Sequence, residues 1–159
     1  MGQLTQTTAE LQLILDGVYG EIYLHEGVTA QSIPTGATYT KVDGFVSDGA
    51  SSNCTNAAAS DKITATLAGE YKIECSLSFT GTGVNKTWFG SVFVNGVEQD
   101  KIHFERRIST GGDVGSTQFG GIATVAAGND IDIRVRHDDA GALDFTPSYM
   151  NFNVVRISE

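Results

Sequence analysis

The sequence predicts an all-β chain, an antiparallel jelly-roll sandwich preceded by one short α-helix. Three observations carry this. Apolar and polar residues alternate in several short segments, the period of a half-buried strand. Nineteen glycines against two prolines, with abundant Thr, Ser, Val and Ile, favour strands and tight turns. Asn95-Gly96 follows directly on an apolar run, and that dipeptide is the strongest short hairpin signal. At 159 residues, the chain is close to the size of one domain and can bury a sizeable core.

The first eighteen residues read differently from the rest. Thr7-Thr8-Ala9-Glu10 fits the Ser/Thr-x-x-Glu capping box, and the apolar residues Leu11, Ile14, Leu15 and Val18 follow at helical spacing. Gly17 suits the helix end. A helix of roughly nine or ten residues is too short to stand alone in water. Its stripe of Leu11, Ile14, Leu15 and Val18 is therefore expected to bind a partner, whether the body, a symmetry mate or another protein. Residues 1–18 are read as an attachment helix and residues 19–159 as the jelly-roll domain.

From Glu21 the period is two. Strands are predicted near Glu21–Leu24, Lys41–Ser47 and Lys62–Leu67. The clearest alternation follows, with Tyr71, Ile73, Cys75, Leu77 and Phe79 on one face and Lys72, Glu74, Ser76 and Ser78 on the other. Trp88–Val94 is apolar on both sides, with Trp88, Val92 and Val94 opposite Phe89 and Phe93, as suits a strand covered twice. After the Asn95-Gly96 turn the return strand is placed at Lys101–Ile108. Gly111–Ser116 reads as a loop, and Thr117–Val125 as the next strand. The turn Ala127-Gly128-Asn129 leads into Ile131–Arg136, and Met150, Phe152 and Val154 alternate in a closing strand.

Charge excludes some partners. Ten Lys and Arg against nineteen Asp and Glu give a formal charge of −9, which argues against nucleic acid and anionic membranes. No apolar run approaches the length of a membrane helix. The start, Met1-Gly2-Gln3-Leu4-Thr5-Gln6, has neither a basic nor an apolar signal region, so synthesis in the cytosol is expected.

Chemistry-bearing residues are sparse. His25, His103 and His137 show no metal-ligand spacing and are expected at surfaces or strand edges. Neither a nucleophile elbow nor a phosphate loop occurs, and no catalytic residue, cofactor or metal is expected. Asp138, Asp139 and Asp144 lie close enough for a calcium loop without matching an EF-hand, and a solvated acidic turn is favoured. Cys75 belongs to the inward face of its strand. Cys54 has the geometry open to pair with it, but a reducing cytosol makes two free thiols the simpler expectation. Glu105-Arg106-Arg107 and Arg134-x-Arg136 are expected to pair with nearby carboxylates.

Gly69-Glu70-Tyr71-Lys72-Ile73, the Asn95-Gly96 hairpin, Val125-Ala126-Ala127-Gly128-Asn129-Asp130-Ile131-Asp132-Ile133 and the aromatic closing strand Tyr149–Val154 together resemble the globular heads of complement q-type and tumour necrosis factor-like jelly rolls. Asn129 precedes Asp130 where that family has a Gly-Asp-like turn, and the closing Ser-x-Phe-x-Gly motif is altered to Ser148-Tyr149-Met150-Asn151-Phe152-Asn153. The capped N-terminal segment with Gly20–Leu24 and Thr38–Val42 resembles, in layout, small structural proteins of tailed bacteriophages. Together the resemblances imply a homotrimer of side-by-side jelly rolls attached to a virion. Trp88, Phe89, Phe93, Tyr149 and Phe152 offer more apolar surface than one sandwich was expected to cover, and are assigned to the trimer interface. The expected function is a non-enzymatic capsid decoration protein, of cement or head-fibre type. It would be made in the bacterial host cytoplasm and bound to the major capsid protein or another virion protein. The alternative is a tail-fibre tip that recognises a host glycan through loops Gly111–Ser116 and Asp138–Asp144, although these loops carry no aromatics.

Overall fold

The period-two segments become strands because each buries one row of side chains, and a computed structural model, which describes residues 17–34 and 38–159, arranges them in two facing sheets. The strands are β1 (Tyr19–His25), β2 (Gln31–Ile33), β3 (Thr40–Lys41), β4 (Ser47–Ser52), β5 (Cys54–Ala57), β6 (Lys62–Ala65), β7 (Gly69–Gly81), β8 (Lys86–Val94), β9 (Val97–Ile108), β10 (Val114–Val125), β11 (Asp130–His137) and β12 (Leu143–Ser158). The first sheet runs β10-β7-β12-β1-β4, with β2 also on β12; the second runs β5-β6-β11-β8-β9, with β3 also on β11. The pairings are antiparallel.

Between the sheets lies one core. Ile22, Ile73, Cys75, Phe79, Phe152 and Val154 face it from the first sheet, and Trp88, Val92, Phe104, Ile131, Ile133 and Val135 from the second. Its centre is aromatic: the Phe79 ring lies 4.8 Å from Phe145 and 6.1 Å from Trp88, centroid to centroid. Each such side chain contributes about 1.5–3 kcal/mol on burial. The predicted hairpin closes as expected, with Asn95 at φ 48° and Gly96 at φ 80°, the paired positive values of a type I′ turn.

The turn before β11 is secured by its first residue. Asp130 accepts hydrogen bonds from Lys62 Nζ at 2.7 Å and Thr64 Oγ1 at 2.6 Å, and the Lys62 contact holds its carboxyl below the usual carboxylate range. These bonds reinforce a ladder in which β11 and β6 share only Asp130↔Thr64 and Ile131↔Ile63.

The structure departs from the predicted elements in three places. Lys41–Ser47 is not one strand. β3 pairs with β11 in the second sheet and β4 with β1 in the first, so the intervening chain crosses between sheets, burying Val42 and Phe45 on the way and turning at Gly44, φ 100°. β2 and β5 were not predicted, because Gln31–Ile33 and Cys54–Ala57 are short and largely polar. β10 begins at Val114, inside the predicted loop, because Val114–Ser116 pair with Ser78–Thr80.

Both cysteines are free and buried. Desolvation pushes the Cys54 thiol up to about 11 and raises Cys75 further. Melting is therefore expected to be the same with and without reductant, and neither thiol should react with an alkylating reagent until the chain unfolds. A melting point lowered by many degrees on reduction, or rapid labelling of the native protein, would contradict this.

Candidate functional site

The two outer faces of the sandwich differ in how they meet solvent. On the second sheet, Phe89 and Phe93 point outward as predicted, but cations cover them. The Arg136 guanidinium lies 4.0 Å above the Phe89 ring and 5.2 Å from Tyr39, and Arg134 lies 4.4 Å above Phe93. Asp132 fixes Arg134 through contacts of 2.7 and 3.2 Å to Nε and Nη2, and the Tyr39 ring packs edge-on against Phe93. Those two aromatics are thus spent within the protomer.

Trp88 and Phe152, also assigned to the trimer interface from sequence, lie fully inside the core, each with 0% exposure. This corrects the expectation: the gap between the two six-stranded sheets needs large side chains, and one sandwich covers both rings itself. Of the five predicted interface residues only Tyr149 stands open, 47% exposed on the outer face of the first sheet. Val18 is corrected likewise. It is 6% exposed within the core, and its carbonyl accepts from the Arg156 N–H at 2.9 Å, so it belongs to the body and offers no face to a partner. Leu11, Ile14 and Leu15 lie outside the described residues.

Strand register sorts the outer face of the first sheet into cross-strand rows. Near one end His25, Tyr149, Ser78 and Ser116 share a row, followed by Tyr23, Asn151, Ser76 and Gln118. A middle row holds Glu21, Asn153, Glu74 and Gly120. Toward the other end Tyr19, Val155, Lys72 and Ile122 lie side by side. Apart from Tyr149, and Ser116 at the end of the Gly111–Ser116 loop named in the glycan alternative, the sequence reading assigned these residues no site, because the alternation places them on the solvent side; the signal was that Tyr19, Tyr23, Tyr149, Val155 and Ile122 are apolar at positions where polar residues belong.

The first two rows form a shallow groove of about 620 Å³ that includes Tyr23, His25, Ser78, Gln118, Tyr149 and Asn151. The His25 ring meets the Tyr149 ring edge-on at 5.2 Å, and the Ser78 and Ser116 hydroxyls are 2.9 Å apart. Asn151 Nδ2 donates to Glu21 Oε1 at 2.6 Å, and its Oδ1 accepts from Asn153 Nδ2 at 3.1 Å, which holds the amide upright on the sheet.

The remaining candidates are structural. His25 and His103 are exposed, but His137 is a core residue rather than the expected surface one, because its strand turns it between the sheets. Its Nδ1 accepts from the Asp139 N–H at 3.1 Å, which assigns the proton to Nε2 and its bond, 3.1 Å, to the Ile33 carbonyl. In the acidic turn Asp139 pairs with Lys86 and accepts from the Gly141 N–H, while Asp138 accepts from the Thr87 N–H at 3.0 Å. No group of three or more His, Cys, Asp or Glu with metal-holding geometry occurs among the described residues.

No protein-family model matches the sequence, and none of the curated proteins does. Among solved structures the chain is similar to the globular domain of zebrafish complement 1qA protein, with a TM-score of 0.65, 16% identity, and coverage of 89% of this chain and 98% of that one. It is also similar to the Eiger tumour necrosis factor of S. frugiperda, with a TM-score of 0.54, 12% identity, and coverage of 89% and 94%. At these identities the likeness is one of fold, and the fold is the antiparallel jelly roll that the sequence predicted.

Removal of a capping cation tests the closed face. Arg136→Ala should destabilise the fold by about 0.5–2 kcal/mol through the lost stacking on Phe89 and Tyr39, read as a lower urea midpoint at unchanged slope. An unchanged midpoint would mean that the stack contributes nothing.

Proposed function

We propose that this chain is a non-enzymatic, self-associating jelly-roll module that works as a homotrimer and decorates a bacteriophage virion, clamping neighbouring shell subunits and raising particle stability by linked binding. The observation that carries the self-association is the inequality of the two outer faces. Arginines cap the aromatics of the second sheet, whereas Tyr19, Val155 and Ile122 of the first stand in one row at 37%, 42% and 45% exposure, with no cation stacked on them among the described residues. Exposed apolar side chains gathered in one row on an otherwise polar surface are the usual mark of an interface. Lys72, between Val155 and Ile122, is neutralised by Glu74 at 3.0 Å and presents its aliphatic stem to the same contact.

The virion part of the proposal is supported by the sequence. The capping box and the stripe of Leu11, Ile14 and Leu15 make a short amphipathic segment that needs a surface to fold on. The partner is the major capsid protein or another virion protein. The non-enzymatic part is supported by the use to which the polar groups are put: His137, Asp138, Asp139 and Asp130 each serve turns and strand ends.

Two measurements test these parts separately. Light scattering should give three times the 16.8 kDa chain mass at micromolar concentration, and Val155→Asp with Ile122→Asp should weaken association at least about tenfold while leaving the fold intact. A wild-type monomer would sink the trimer. Deletion of residues 1–16, which spares Val18 and the core, should leave a folded trimer that no longer co-sediments with phage heads. Normal occupancy of the truncated protein on particles would refute the attachment role.

A further inference from the structure

We propose that the groove at the Tyr149 end of the first sheet's outer face is a binding site for a neutral saccharide. It lies away from the Tyr19–Val155–Ile122 row and goes beyond the assembly role given above. Three features of the lining select this ligand class.

The groove carries no Lys, Arg, Asp or Glu on its lining. Its one ionisable base is the His25 imidazole, already set edge-on against Tyr149, so an anionic ligand would find no lysine or arginine there and a cationic one no carboxylate; the lining suits an uncharged occupant. The polar lining is made of hydroxyls and amides: Ser78 and Ser116 at one side, Gln118 and Asn151 at the other. Such groups both donate and accept, as sugar hydroxyls do. Asn151 is already oriented by Glu21 and Asn153, which leaves one N–H of its amide for a ligand, and the Ser78–Ser116 pair shares one hydrogen bond and keeps the other hydroxyl proton free. These groups are set before a ligand arrives, which lowers the ordering cost of binding.

The third feature is a platform. The Tyr149 ring stands 47% exposed in the groove, and the edge-on His25 ring braces it, the two being inclined at 86°. The face of an aromatic ring is its electron-rich side and attracts the weakly positive C–H groups of a pyranose. Tyr23, one row along, extends the aromatic lining. The volume, about 620 Å³, is within the range of small-molecule sites. A protein partner would instead favour the apolar row at the opposite end.

The test is saturation-transfer NMR on the full chain with maltose, lactose and N,N′-diacetylchitobiose at millimolar concentration, with Tyr149→Ala and Gln118→Ala as groove variants and Val84→Ala as an exposed control outside the groove. Saturation should pass to ring protons of at least one of the sugars, and binding should fall at least about tenfold in both groove variants while Val84→Ala binds as the wild type does. Light scattering should give the same mass for all four proteins. The proposal is overturned if none of the three sugars receives saturation, or if binding survives in both groove variants. It is also overturned if Tyr149→Ala dissociates the assembly, which would assign the groove to the seam. Failure of the trimer itself would leave the sugar signal and its loss in the groove variants unchanged.

Discussion

Everything in this sandwich depends on filling the gap between two sheets that pack about 10 Å apart. Trp88 occupies the centre of that gap, touching Phe79, Phe145 and His137 with ring centroids 5.2–6.1 Å away. Room for it comes from Gly81 on the facing sheet, where any Cβ would collide with the indole, and Gly90 likewise gives place to the Phe104 ring. The indole Nε1 is buried without a hydrogen-bond partner among the described residues, at a cost of about 1–3 kcal/mol. Large apolar area at the point where the sheets are joined outweighs that loss, because a smaller residue would leave a cavity among the Phe79, Phe145 and His137 rings. His137 enters the same cluster with both ring nitrogens satisfied, so its polarity adds no further penalty.

Once the core is filled from inside, the fate of each outer face is decided by what stands at the alternate positions. β8 and β11 place Phe89 directly opposite Arg136, while Arg134, opposite Ser91, reaches diagonally to Phe93, so the register sets each guanidinium over a ring. The protomer thus closes that face by itself. β1, β12 and β10 carry Tyr, Val and Ile at the corresponding positions, with Lys72 as the nearby cation, and Lys72 is turned to Glu74. The same alternation that builds the core therefore leaves one face finished and the other open.

The sequence disclosed most of the strands, because Tyr71–Phe79, Trp88–Val94 and Ile131–Arg136 have strong periods, and it disclosed the hairpin, because Asn95-Gly96 specifies its own turn. It did not disclose which aromatics are surplus. Trp88 and Phe152 were expected at an interface since an inventory of rings says nothing of the gap they must fill. The arginine caps were also hidden: Arg134 and Arg136 lie more than forty positions from Phe89 and Phe93, and only register brings them together. The groove was missed for the opposite reason. Its outward side chains come from four strands, two from each, and look like ordinary solvent-side positions, so the glycan alternative was sought in loops that hold no aromatic.

Chain direction gives the open face a polarity. β1 starts at Tyr19, paired with Val155 near the end of β12, so the described N-terminal residues and the C-terminus leave the sandwich at the apolar end. Gly17, at φ 67°, and Val18 are pinned there by Asn53 and Arg156. His25 closes β1, six residues along from Tyr19, or about 20 Å at 3.3 Å per residue, and its partner Tyr149 lies in the middle of the longer β12. A contact made through the apolar row thus gathers at the end of β1 where the described chain enters the body. The groove faces out at the other end. The apolar row proposed for self-association and the groove proposed for a saccharide are therefore about one length of β1 apart, so a substitution in either tests one proposal without disturbing the other.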